Sequence, residues 1–262
     1  MGVLDRCVEE VNAMPVAVGI VAGTAIRGAA AAVMMRPVLE RHPNAFLITL
    51  ANFGVTLTMS GSQDHIRNDI AKALHVRGRS HNSPIVLVGH SQGGLAVLRY
   101  ALDHQDQVHH VFSIGAPWHG SVSAGRLSAA VRGRLPAIRD MSANSEFLTA
   151  LHRELPQIAD RVSNIYSTHE IFIRPYTGAH IDVPGVSNTL IATEEELHRH
   201  LRLHPQLELD DIILGRVNHL SEMHSPEVRA RVWAKVGEVA STLRAQQDGS
   251  SSDPGAHPQP GA

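Results

Sequence analysis

Apolar residues in this chain fall into short unbroken runs, separated by longer stretches with a helical period. Val16 to Ala22, Ala45 to Leu50, Pro84 to Val88 and Val108 to Ile114 are the clearest runs. Continuous runs of this length mark strands covered on both faces, as in a parallel sheet. Between them, the pattern predicts helices from about 28 to 41 and from 63 to 76, the second with apolar residues at 66, 70, 73 and 74. A third helix runs from Leu95 to about Asp103. Further strands are expected at Arg161 to Ser167 and Ser187 to Ala192, and a last helix from Pro226 to about Arg244. Strand–helix alternation of this kind implies an α/β fold: a mostly parallel central sheet with right-handed crossovers and helices on both faces.

Residues 122 to 160 interrupt the rhythm. They contain no strand pattern, and 127–135 and 144–155 look like short amphipathic helices. Long connections beside a site tend to be functional, so this segment is expected to be a small helical cap, with a longer crossover as the alternative. The domain would then run from residue 1 to 245. From Gln246 on, Gly, Ser and Pro dominate and large apolar residues vanish, so 246–262 reads as a disordered tail.

Composition narrows the function mainly by exclusion. Lys plus Arg number 23 against 25 Asp plus Glu, which offers no nucleic-acid face and no polybasic membrane patch. Cys7 is the only cysteine, excluding an internal disulfide and a thiolate metal cluster. Asp5, Glu9 and Glu10 give the first residues the wrong charge for a secretory leader, and the apolar stretch from Met14 to Ile26 is too short to span a bilayer. A cytoplasmic protein without an integral membrane segment is the expectation.

The chemistry begins at Gly89-His90-Ser91-Gln92-Gly93, a G-x-S-x-G directly between a strand and a helix. A serine is thrown clear of a sheet only on a sharp turn, and the flanking glycines leave room where a Cβ would clash. The next helix aims its N-terminal N–H groups at charge forming on the serine. Such a serine needs a base, and the base an orienting acid, in the chain order Ser, acid, His. Glu170, after the strand ending at Ser167, is the leading acid and Asp182 the reserve. Of 18 histidines, His219 stands out, in a short loop just ahead of the last helix. His224 is read as surface or helix cap, His169 and His119 as structural or pocket-lining, and His90 as a core histidine. An oxyanion hole would use the backbone N–H of Gln92 and that of Thr24, with Gly23 letting that loop approach. Trp118 and His119, in the turn after the next strand, are candidate substrate contacts with Gly23.

These residues resemble the α/β-hydrolases, and within them the lipase/esterase-like group. Gly115-Ala116-Pro117-Trp118-His119-Gly120-Ser121 is similar to that group's Gly-Thr-Pro-His-x-Gly-Thr turn. Ser145 to Leu151 resembles the segment before the acid strand, Tyr166 to Glu170 with Pro175 the acid loop, and His219 to Val228 the base loop. The chain departs in having Glu170 for the commoner Asp, Ala22-Gly23 for His-Gly, and a stretch from Glu194 to Asp211 that reads as an insertion. His198, His200 and His204 in that stretch lack a metal motif such as H-E-x-x-H, and a solvated helix is expected there. The resemblance implies a serine hydrolase of carboxylic esters, acting on a small-molecule acyl ester or lipid, with no cofactor and no metal. Acyl transfer or thioester hydrolysis on the same scaffold, and a non-enzymatic binding protein, stay open as alternatives.

Overall fold

The computed structural model describes residues 16–21, 23, 45–48, 57–121 and 134–251. Seven strands form one sheet: β1 (Ala17–Val21), β2 (Ala45–Ile48), β3 (Ile85–His90), β4 (Val108–Ile114), β5 (Val162–Ser167), β6 (Ser187–Ala192) and β7 (Asp211–Leu214). All neighbours pair in parallel, in the order β2-β1-β3-β4-β5-β6-β7. The helices are α1 (Gln63–Val76), α2 (Gln92–Asp103), α3 (Pro136–Asp140), α4 (Glu146–Glu154), α5 (Glu194–Leu203) and α6 (Pro226–Ser251). This is the doubly covered α/β sheet that the apolar runs predict.

The pleat divides each central strand between two cores. Ile85 and Leu87 of β3 face one side, with Ala17 and Val21, and pack with α1, α2 and α4. Val86 and Val88 face the other, with Val18, Ile20, Phe112 and Ile114, against the α6 row Val228, Val232, Val236, Ala240 and Leu243. That row recurs at three- and four-residue spacing, as one buried stripe of a helix requires. α2 is buried almost all round because it lies over the middle of the sheet, directly behind Ser91.

Several elements differ from expectation. The stretch from Glu194 to Asp211 is a regular crossover: α5, closed by a Thr193–Glu196 capping box, leads into the edge strand β7. It is not wholly solvated. His200 is fully buried, and its Nδ1 lies 2.8 Å from the Tyr176 hydroxyl. Burial and the nearby His204 and His180 lower its pKa to about 4. Between 134 and 161, α4 contributes Phe147, Leu148 and Leu151 to the main core, and Arg99 on α2 pairs with Glu154 at 2.5 Å. Residues 122–133, the rest of the segment expected to form a cap, lie outside the described residues, as does the helix expected over 28–41. α6 continues to Ser251, beyond the predicted end near Arg244.

Candidate active site

The carboxyl ends of β3, β4 and β5 and the loop after β7 converge. β3 ends in the turn holding Ser91, whose backbone has φ 56° and ψ −126°. A serine in that region is strained by about 1–3 kcal/mol and persists only where its surroundings enforce it. Here Ser91 N–H donates to Ile114 O at 2.8 Å, and its carbonyl accepts from Gly94 N–H at 2.9 Å. The two flanking glycines are sterically required. A Cβ on Gly89 would come within 2.3 Å of Gly93 O, and one on Gly93 within 2.5 Å of Val21 O. On the other side, a Cβ on Gly23 would reach 2.8 Å from Ser91 Cβ and 3.4 Å from its Oγ. Gly23 therefore presses its bare backbone against the serine. Gln92 is buried at the start of α2, whereas Thr24 lies outside the described residues.

Glu170 and His219 meet. His219 Nδ1 is 2.9 Å from Glu170 Oε1, with both side chains buried. Their loops are tied by a parallel bridge between His169 and Asn218, and by the Ser167 hydroxyl, which donates to Val217 O and accepts from His169 N–H. His90, the residue before Ser91, brings the base loop to the turn. Its Nε2 reaches His219 O at 2.7 Å, and the two rings lie 4.6 Å apart. Burial, with His219 nearby, lowers the His90 pKa to about 3, so the ring is neutral and its Nε2–H can donate to that carbonyl. Sequence reasoning gave His90 only a core role. The contact that matters is with a loop 129 residues away.

The reserve acid is elsewhere. Asp182 accepts from Trp118 Nε1 at 3.1 Å and lies 3.4 Å from His119 Nε2. Trp118 is only 1% exposed and belongs to the main core, which leaves its indole almost no surface for a substrate. His119 is partly exposed beside it. Ile171, Phe172 and Leu220 flank Glu170 and His219 as exposed apolar residues, and the Phe172 ring stands 5.1 Å from that of His219.

Sequence reasoning missed Glu222. It is fully buried on the turn after His219, with Oε2 3.4 Å from His90 Nε2 and 3.9 Å from His219 Nδ1. His90, His219 and Glu222 each present a ligand atom within 4.8 Å of the others, a spacing that could hold an ion. Two of those groups are already engaged, His219 Nδ1 with Glu170 and His90 Nε2 with a carbonyl. Gly115, with φ 54°, passes over Glu222 so closely that a Cβ would sit 2.1 Å from Oε2. Gly115→Ala should therefore destabilise the fold by about 2 kcal/mol or more, combining left-handed strain with displacement of a buried carboxyl. A thermal melt should show Tm lowered by roughly 4–8 °C. A shift below one degree would contradict this packing.

The sequence matches the family model described as the alpha/beta hydrolase fold over residues 40–163. Among solved structures, a meta-cleavage product hydrolase from Pseudomonas fluorescens is similar, with a TM-score of 0.51 at 10% identity, over 86% of this chain and 91% of that one. Aspergillus fumigatus lipase B aligns with a TM-score of 0.49 at 18% identity, over 68% of this chain. The present chain spans only 44% of that lipase. Paleococcus ferrophilus monoacylglycerol lipase aligns with a TM-score of 0.46 at 17% identity, over 86% and 93% of the two chains. No curated protein matches the sequence. Among the described residues, seven parallel strands and a strained serine turn after β3, with the family match over residues 40–163, define an α/β-hydrolase fold. Among the described residues, no helix is long and apolar enough to cross a membrane.

Proposed function

We propose that this protein is a serine hydrolase of carboxylic esters with an apolar acyl or alcohol part, working through an acyl-enzyme. The observation that carries the reading is the buried 2.9 Å contact between His219 Nδ1 and Glu170 Oε1, on a loop held against the Ser91 turn. His219 Nδ1–H donates a hydrogen bond to Glu170 Oε1, which leaves Nε2 as the basic nitrogen. His219 accepts the proton of Ser91 Oγ as that oxygen attacks the acyl carbonyl, and returns it to the departing alcohol. Water repeats the sequence on the acyl-serine. The Gln92 N–H and the Thr24 N–H serve the oxyanion, Thr24 being the residue after Gly23, whose backbone lies against Ser91. The exposed Ile171, Phe172 and Leu220 beside His219 favour an apolar substrate.

The test is turnover of p-nitrophenyl esters from acetate to palmitate, with fluorophosphonate labelling of Ser91. An acceptor alcohol added to the assay reveals transfer if it occurs. Glu170→Gln should lower kcat by roughly 10²–10⁴, because the amide can present an N–H to Nδ1 and so favour the wrong imidazole tautomer. If Asp182→Asn has that effect and Glu170→Gln does not, the acid is misassigned.

A further inference from the structure

We propose that Glu222 is a positioning residue, a second carboxyl that shares one proton with Glu170 and thereby holds Glu170 Oε1 on His219 Nδ1. The proposal rests on the hydrolase reading. Glu170 Oε1 is occupied by His219, while Glu170 Oε2 and both Glu222 oxygens are buried without a hydrogen-bond partner. Buried acceptors in that state are costly unless a donor is supplied. Both carboxyls crowd one backbone point: a Cβ on Gly115 would lie 2.1 Å from Glu222 Oε2 and 3.2 Å from Glu170 Oε1. A single proton between them satisfies the pair. Glu222 O–H donates to Glu170 Oε2, and the two groups together carry one negative charge.

The surroundings favour this protonation. The titratable groups facing Glu222 are Glu170 from the β5 loop, His90 from the end of β3, and His219 from its own loop; His224, on the same turn, faces His90. None is a permanent cation, and His90 is neutral. Two ionised carboxylates cannot share a dry site without one. Burial first, then the charge of Glu170 and a hydrogen bond with it, push the Glu222 carboxyl well above the ordinary range. Glu170 is thereby fixed from both sides, His219 on one oxygen and Glu222 on the other. When His219 becomes an imidazolium during turnover, it faces a single delocalised negative charge.

A raised carboxyl has a definite signature in stability. Below the ordinary carboxylate pKa of about 4.3, folded and unfolded chains both hold the proton. As pH rises, the unfolded chain releases it while folded Glu222 keeps it, so stability falls with pH until the folded group ionises too. Glu222→Gln cannot ionise but can still donate an N–H to Glu170. Its Tm should fall less than that of wild type between pH 5 and pH 9. Its kcat should drop roughly 3–10-fold, whereas Glu222→Leu should lose about 10²-fold with KM little changed, as expected when a catalytic group is misplaced by a fraction of an ångström. A Tm slope for Glu222→Gln equal to that of wild type overturns the shared proton. A kcat loss in Glu222→Gln as large as in Glu170→Gln also overturns it, since Glu222 would then be the charged orienting acid. If Glu222→Gln does not fold, Glu170→Gln carries the stability test. Removing the Glu170 charge should flatten the slope above pH 6, and an unchanged slope overturns the proposal. Failure of wild type to react with a fluorophosphonate sinks the hydrolase reading, and the positioning role with it. An unchanged slope in a protein that labels normally sinks the shared proton alone.

Discussion

Replacing Ser91 with alanine is expected to lower kcat by roughly 10⁴–10⁶ while leaving the fold intact. The size follows from the role. Without Oγ there is no covalent intermediate, and what remains is the oxyanion donors and substrate binding, which give only the smaller part of the acceleration. The fold should persist because the turn is held by its backbone. Ser91 N–H to Ile114 O, Gly94 N–H to Ser91 O, and the bare approach of Gly23 all survive in alanine, and the left-handed φ costs about the same with either side chain. Tm should stay within about 2 °C of wild type, below what a loss of 1 kcal/mol produces in a chain of this size. The measurement is steady-state hydrolysis of a p-nitrophenyl ester beside a thermal melt. Activity within tenfold of wild type, in preparations free of wild-type enzyme, would show that Ser91 is not the nucleophile.

Strand-by-strand, the sheet was legible because its middle is buried on both faces. Runs such as Ile85 to Val88 cannot be solvated, and their spacing leaves room only for crossover helices. Ser91 was legible for a different reason, since the glycines around it are forced by close approach and appear in the sequence as a fixed spacing. β7 was missed because it is a four-residue edge strand with Ile212 and Leu214 partly exposed, too short and too solvated for a continuous apolar run. Trp118 was read as a pocket residue from its place in a turn, but that turn folds under the segment carrying α4, and its indole N–H is used by Asp182. Glu222 had no local signal at all. A glutamate after a loop histidine looks like any polar residue at a helix start. Its significance depends on Gly115, more than a hundred positions earlier, passing within contact of its oxygens.

His219→Ala should abolish both turnover and fluorophosphonate labelling, with kcat down by roughly 10⁴–10⁶, because both reactions need the proton drawn from Ser91 Oγ. Unlike Ser91→Ala, it should also weaken the fold. Glu170 Oε1 would lose its donor inside a buried site, and leaving such an acceptor unpaired costs about 1–3 kcal/mol. The loop itself should stay in place, since the His90 ring contacts the backbone carbonyl of residue 219 and not its side chain. The loss of labelling would then report missing chemistry and not a displaced loop. His169 and His224 are the controls. His169 pairs with Glu196 on the far side of the acid loop, and His224 lies on the turn beyond Glu222, so neither is placed to take a proton from Ser91. His169→Ala and His224→Ala should label at rates within a few-fold of wild type. Full labelling of His219→Ala, or its loss in either control alone, would assign the base to a different histidine. Glu170, bonded to a ring that does no proton transfer, would then be left without a catalytic purpose.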